Sequence, residues 1–314
     1  MNEKRSTRVS VLIPLYNEEE NLEPLVGRLR PVLDSLGADW EVIFVDDGST
    51  DGSFERLRRL RDGCPGLKAV RFRRNFGKSA ALRAGFRQAR GDRVVIMDAD
   101  LQDDPEEIPG LLELLDQGYD LVGGWRADRR DRFVKRQTSR IYNLATSTLT
   151  GIRIHDFNCG LKAFRREVIE SIPVHGELHR YIPVLAHRRG FRVTEKKVRH
   201  HPRLHGESKF GPYRFFAGFA DLVTVLFLTR YFKKPLHFFG GLGLMFFVAG
   251  FAIDFVLLVG SLFGETIRTR PLLFLGILLM LIGFQFISTG LLGEMLAMGR
   301  DEDEREYLVG ETLE

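Results

Sequence analysis

Cysteine is scarce in this chain: only Cys64 and Cys159 occur, far apart and outside any metal-binding spacing. That excludes a disulfide framework and a zinc-ribbon or zinc-finger site, and it suits a reduced, cytosol-facing setting with both thiols as packing residues. A secretory leader is not expected, because the apolar run after the polar N-terminus ends within eight residues at Tyr16. No Gly-x-Gly-x-x-Gly follows the first apolar run, which argues against a dinucleotide-binding domain. Gly77-Lys78-Ser79 invites a phosphate-loop reading, but the required first glycine falls at Phe72, so that reading is rejected. Basic residues are nearly missing from one region. Residues 235–314 hold four Lys/Arg against ten Asp/Glu, so 1–234 carries a formal +10 while the whole chain carries +4. A positive N-terminal region seeks nucleic acid, anionic lipid or a phosphate-bearing substrate. With no nucleic-acid-binding signature or long Lys/Arg block, nucleic acid is not the expected partner.

What is present begins with Val94–Met97, an apolar run that reads as a buried strand and leads straight into Asp98-Ala99-Asp100-Leu101-Gln102. On extended backbone Asp98 and Asp100 share a side, and Gln102 joins them if the chain stays extended. Hard oxygen ligands at a strand end suit Mg²⁺ or Mn²⁺ holding a diphosphate. The bland alternative is that the aspartates cap a helix announced by Pro105-Glu106-Glu107.

Upstream, Val9–Leu15 reads as a strand broken at Pro14, followed by a helix capped near Asn17 with one apolar face from Leu22 to Leu36. A strand at Glu41–Val45 opens into the Gly/Asp/Ser turn 46–53 and a helix carrying Leu57 and Leu60. A strand at Leu67–Phe72, a helix over 79–89, a strand over 93–97, a helix over 105–117 and a strand over 119–123 continue the alternation. That order predicts a Rossmann-like α/β fold, a mostly parallel sheet with helices on both faces and ligands at the carboxyl ends of its strands. Beyond it, a basic stretch from Arg126 to Arg140 precedes a helix near 136–149. The segment His155 to Phe164 reads as a loop entering another helix; a His155-Asp156-Cys159 metal site is disfavoured for want of a second cluster. A helix over 178–189 and a strand over 191–198 lead to His200, His201 and His205, read as a solvated or phosphate-facing loop.

Residues 213–232 mix apolar side chains with Arg214, Asp221 and Arg230, as a helix lying along a membrane surface does. Leu236–Phe263 then runs 28 residues with one acid, Asp254, and Pro271–Leu292 follows with Gln285 as its one strongly polar residue. At ~1.5 Å rise per residue each can cross a hydrocarbon layer of ~30 Å. A seven-residue link makes them a hairpin, and Arg230, Lys233, Lys234 and Arg300 place the flanking segments in the cytoplasm.

Five motifs, Ile13-Pro14-Leu15-Tyr16-Asn17-Glu18, Val45-Asp46-Asp47-Gly48-Ser49, Asn75-Phe76-Gly77-Lys78, Asp98-Ala99-Asp100-Leu101-Gln102 and Gly206-Glu207-Ser208-Lys209-Phe210-Gly211, occur in this order ahead of the hairpin. Together they resemble the family 2 glycosyltransferases of the GT-A fold, and within them the polyprenyl-phosphate glycosyltransferases that include dolichol-phosphate mannose synthase and bacterial undecaprenyl-phosphate glucosyltransferases. The resemblance implies a GT-A catalytic domain over 1–211, interfacial amphipathic helices over 212–234, a transmembrane hairpin over 235–299 and an acidic cytoplasmic tail over 300–314. It implies that Pro14, Tyr16, Asn17, Glu18, Asp46, Asp47, Lys78, Ala99 and Ser208 belong to the nucleotide-sugar site, with Asp47 near the ribose, and that Asp98, Asp100 and Gln102 bind Mg²⁺ or Mn²⁺. Polymerising synthases of the superfamily carry Gln-x-x-Arg-Trp, which is absent.

The activity implied is inverting transfer of a hexose from a nucleotide sugar, UDP-glucose or a related UDP-sugar, to polyprenyl phosphate at the inner membrane. A lipid phosphate is already an anionic nucleophile, so cations rather than a general base are needed, and Arg126, Arg136, Arg140, Arg203 and Lys209 are the candidates. GDP-mannose as donor and a non-enzymatic nucleotide-sugar sensor or scaffold are the alternatives. A homo-oligomer is expected.

Overall fold

The computed structural model describes residues 8–127, 147, 151–152, 154–172, 178–202, 235–263 and 271–298. The chain divides into two compact units, Met1–Val225 and Leu226–Glu314.

In the first unit, strands β1 (Arg8–Leu15), β2 (Asp39–Asp46), β3 (Leu67–Arg71), β4 (Arg93–Ile96) and β5 (Leu121–Trp125) alternate with helices α1 (Glu19–Asp34), α2 (Ser53–Asp62), α3 (Lys78–Gln88) and α4 (Ile108–Asp116). Strand β6 (Lys162–Arg165), α5 (Arg166–Ser171), a 3₁₀ turn at Leu178–Tyr181, α6 (Ile182–Arg188) and β7 (Val193–Lys197) complete it. The sheet order is β3-β2-β1-β4-β6-β5-β7, with β6 antiparallel to both neighbours and every other pairing parallel. Both faces are covered, as an alternating pattern of α and β elements requires. Val11 and Ile13 of β1 pack with Leu22, Leu25, Leu29 and Leu33 of α1 and with Ile108, Leu111 and Leu115 of α4. Leu12, one residue out of phase, faces Ala81 and Leu82 of α3 with Val168 and Ile182. A fully buried side chain of this kind contributes about 1.5–3 kcal/mol.

Three local expectations need correction. The segment expected to run as a loop into a helix contains β6, inserted between β4 and β5. Lys-Ala-Phe-Arg has no apolar run to announce a strand; pairing on both edges is what makes it one, with Ala163 and Phe164 fully buried. Helix α1 begins after Glu18 rather than Asn17, and Glu18 makes no side-chain cap. The β2–α2 loop takes up the backbone donors instead: Glu19 N–H donates to Asp51 Oδ2 (3.3 Å), Glu18 N–H to Ser53 Oγ (3.0 Å) and Asn17 N–H to Ser49 Oγ (2.9 Å). Asn17, at φ 57, accepts from Thr50 N–H at 2.8 Å and ties the two loops together. The helix expected over 105–117 opens as a 3₁₀ turn, Pro105–Glu107, capped by Asp104, whose side chain accepts from Glu106 N–H at 3.1 Å. Asp98 and Asp100 therefore do not cap it.

The second unit contains α7 (Pro235–Leu262) and α8 (Pro271–Met298), each 28 residues long and apolar enough to cross a membrane. They pair antiparallel with backbones in contact: a Cβ on Gly243 would lie 2.6 Å from Gly283 O, and one on Gly283 would lie 2.6 Å from Gly243 O. At the open end Leu236 N–H donates to Glu294 Oε2 at 3.1 Å, so an acid on α8 satisfies a backbone donor at the start of α7. Leu244, Phe251, Phe255, Phe274, Leu281 and Phe284 are exposed on the two helices, which are therefore not buried core helices of this unit.

Candidate active site

Strands β1, β2 and β4 are parallel neighbours, so their carboxyl ends open on one edge of the sheet. Tyr16, Asp46 and Asp98 follow those ends, where α/β sheets place their ligands.

Asp46 and Asp47 have different surroundings. Both are buried. Asp47 spends its oxygens on the loop before α3, accepting from Phe76 N–H (2.7 Å) and Gly77 N–H (2.8 Å). Asp46 Oδ1 accepts from Ser49 N–H at 2.8 Å, while Oδ2 lies 3.5 Å from Arg71 Nε with no hydrogen-bond partner. A buried carboxylate oxygen in that state is an acceptor waiting for a donor. A cleft of about 400 Å³ lies beside this region, lined by Gly48, Ser49, Thr50, Arg71, Phe72 and Arg73. Pro14, Tyr16 and Glu18 are half-buried at the end of β1.

The 98–104 loop does not continue β4 as an extended run. Leu101 sits at φ 60, and Gln102 N–H turns back to Asp100 Oδ1 at 3.2 Å. Asp98 is one-third exposed, whereas Ala99 and Asp100 are buried. Gln102 donates its side-chain N–H to His201 O at 3.4 Å, and His201 N–H donates to Gln102 O at 2.8 Å. Asp103 forms an antiparallel bridge with His200, and His201 Nε2 lies 3.0 Å from Asp104 Oδ2. Strand-like pairing thus joins the acidic loop to the segment read from sequence as a solvated or phosphate-facing histidine loop.

Around Asp98 the charges interlock. Lys78 Nζ contacts its Oδ1, and a Cβ on Gly160 would come within 2.5 Å of Oδ2 and 2.9 Å of Asp103 Oδ2. Only glycine lets the β6 approach sit between those carboxylates. Burial works against ionisation of Asp98, but Lys78, Lys162 and Arg126 outweigh it and hold its pKa below the usual carboxylate value. Arg126 is doubly bonded to Asp156, Nε to Oδ2 at 2.7 Å and Nη2 to Oδ1 at 2.9 Å. Asp156, pinned this way, is poorly disposed to act as a nucleophile. Lys162 is buried and donates to Cys159 O, and burial lowers its pKa. Burial, helped by Asp103, pushes the Cys159 thiol up to about 12, so it stays protonated and packs rather than ligates.

Sequence reasoning missed Lys162 and His179. His179, in the 3₁₀ turn, has Nδ1 2.9 Å from Ser79 Oγ, and burial together with Lys78, Arg180 and Lys162 drops its pKa to about 3. Neither residue carries a local signal, since a lone histidine and a lysine in a short non-apolar strand match no spacing pattern. Arg136, Arg140, Arg203, Ser208 and Lys209 lie outside the described residues, as do the helix expected near 136–149, the interfacial segment 212–234 and the tail 300–314.

Two carboxylates and an amide within five residues are chemically suited to a hard divalent cation, and Asp98 is ionised and already draws a cation. Among the described residues, however, no three His, Cys, Asp or Glu side chains converge as a ready-made metal cage.

With that geometry in place, comparisons with known proteins define the class. Residues 10–172 match the family described as glycosyl transferase family 2. The chain belongs to that family and is a glycosyltransferase. Over nearly its whole length it is similar to dodecaprenyl-phosphate galacturonate synthase of Rhizobium johnstonii, at 39% identity covering 99% of this chain and 94% of the relative. Undecaprenyl-phosphate 4-deoxy-4-formamido-L-arabinose transferase of Pseudomonas paraeruginosa is 43% identical, covering 92% and 84%. Among solved structures, glucosyl-3-phosphoglycerate synthase of Mycobacterium tuberculosis with Mn²⁺, UDP-glucose and phosphoglyceric acid superposes with a TM-score of 0.54 at 22% identity, covering 71% of this chain and 79% of the neighbour. That likeness carries the GT-A fold.

Proposed function

We propose that this chain transfers a sugar, with inversion at the anomeric carbon, from a nucleoside diphosphate sugar to a polyprenyl phosphate at the cytoplasmic face of the inner membrane. The observation that carries this reading is the engagement of the carboxylates around Asp98. Asp98 is paired with Lys78 and Asp156 with Arg126, while Asp103 accepts from Asp98 N–H and Asp100 from Gln102 N–H. His179, at a pKa of about 3, is too weak a base near neutral pH. A hydroxyl acceptor would find no poised base among these residues. A phosphate monoester arrives already anionic and needs only cations to hold it against the anomeric carbon. Lys78, Lys162 and Arg126 are the cations gathered in the described part of the site, and the resemblance adds Arg136, Arg140, Arg203 and Lys209 as acceptor or donor-phosphate contacts. Two relatives named for polyprenyl-phosphate acceptors support the same reading.

Asp46 Oδ2, buried and with no hydrogen-bond partner beyond its ion-pair contact with Arg71, suits a hydrogen bond from the donor's base or ribose, with Tyr16 and Pro14 beside it. Asp98, Asp100 and Gln102 are the residues to hold Mg²⁺ or Mn²⁺, which when bound neutralises the charge of the departing diphosphate. The proposed donor is UDP-linked, carrying glucose or a related sugar; relatives acting on galacturonate and a formamido-arabinose widen the sugars to be tried.

The test uses purified full-length chain with UDP-sugars and undecaprenyl phosphate. UDP release is expected only when the lipid is supplied, and an α-linked donor should give a β-linked lipid product. EDTA should abolish turnover. UDP release at the same rate without lipid, or an α-linked product, overturns the proposal; turnover with GDP-mannose alone overturns the choice of base.

A further inference from the structure

The carboxylate at the centre of the site already holds a cation. Lys78 Nζ sits on Asp98 Oδ1, each side chain 34% exposed. Its delivery is built into the fold, because Lys78 opens α3 directly after the loop that Asp47 anchors through Phe76 and Gly77 N–H. The backbone approaching β6 crowds the other oxygen, since a Cβ on Gly160 would lie 2.5 Å from Oδ2. The other cations near Asp98 are held in place: Lys162 is buried on the Cys159 carbonyl, and Arg126 is fixed by two hydrogen bonds to Asp156. Among the described residues, Lys78 is the cation on Asp98 that combines solvent access with a flexible stem.

We propose that Lys78 is an exchangeable counter-ion that keeps a divalent metal off Asp98 until the donor arrives. A lysine ammonium and a divalent ion on one carboxylate repel each other, so occupancy by either weakens binding of the other. An incoming nucleoside diphosphate offers Lys78 a new anionic partner, and its departure frees Asp98 for the metal. Metal and nucleotide affinity are then linked, each raising the other by the same factor. This inference rests on the metal-dependent transferase reading above.

The test is Mn²⁺ titration of the purified full-length chain in detergent, followed by the electron paramagnetic resonance signal of free Mn²⁺. Titrations are run without nucleotide, with UDP and, separately, with GDP. Wild-type chain is expected to bind Mn²⁺ about 10-fold more tightly with the fitting nucleotide, within the usual range of such couplings. Lys78→Met should bind Mn²⁺ about 10-fold more tightly than wild type without nucleotide and lose most of the nucleotide enhancement. Lys78→Arg, which keeps the charge, should behave like wild type. Lys78→Gln repeats the neutralisation with a polar side chain, and melting temperatures of all variants report folding. Equal nucleotide-free Mn²⁺ affinity in wild type and both neutral variants overturns the inference and leaves the transferase reading standing. No Mn²⁺ binding by any chain, with either nucleotide, overturns the metal assignment on which the inference rests.

Discussion

The strand-end cluster and the helical hairpin both bring parts of the chain closer than side chains allow, and both use glycine to do so. What the glycine admits differs. At Gly160 it admits backbone between two carboxylates, Asp98 and Asp103, whose charge is balanced by Lys78, Lys162 and Arg126. At Gly243 and Gly283 it admits one helix backbone against another, with no charge involved. A buried carboxylate costs several kcal/mol unless paired, so the first arrangement stands only as a complete network. The two apolar helices meet through close van der Waals contact across small residues, the mode by which helices associate in a membrane. The carboxylate cluster is therefore a region whose polar groups are interdependent, and the hairpin one whose contacts are local and repeated.

The largest expected effect comes from filling the space at Gly160. Gly160→Val would push Asp98 and Asp103 apart, and because a displacement of ~1 Å at a reacting centre can cost ~100-fold in rate, transfer should fall by about that factor or more. Steady-state kinetics on membranes containing the variant measure it; retention of most activity would mean the carboxylates tolerate separation. Next, Gly283→Leu should cost the hairpin about 1–3 kcal/mol through overpacking against Gly243 and Phe247. Thermal unfolding in detergent should register the loss while UDP binding to the first unit stays unchanged, and a fall in both would show that the two regions are not energetically separate. The smallest effect is electrostatic. His179 has an ordinary value of 6.5 and a folded value of about 3, so between these pH values the unfolded chain takes up a proton that the folded chain refuses. Stability is undiminished above pH 6.5 and declines as pH falls toward 3. His179→Gln should flatten the dependence of melting temperature on pH between 7 and 5; an unchanged slope would sink the assignment of a buried neutral imidazole.

Much of this was legible in the residues. Apolar runs ending in Asp/Gly/Ser clusters marked β1 to β5 and the helices between them, and they correctly put Asp46, Asp47 and Asp98 at strand ends. Length and apolarity alone marked both long apolar helices, with α8 extending to Met298 beyond the expected Leu292. Less legible was the division of labour: Asp46 and Asp47 are adjacent and identical in sequence terms, yet Asp47 holds the Phe76–Gly77 backbone and Asp46 keeps a buried oxygen without a hydrogen-bond partner.

The sequence by itself determined the alternation of elements, the placement of acidic residues at strand ends and the two membrane-length helices, because each depends on the burial of consecutive residues along one short segment. Only the tertiary structure decided that β6 enters antiparallel between β4 and β5, bringing Lys162 and Gly160 toward Asp98, and that Lys78 and His179 reach the same site from other elements. Those pairings join residues far apart in the chain. Their energies depend on distance and burial after folding, quantities that no local pattern of residues encodes.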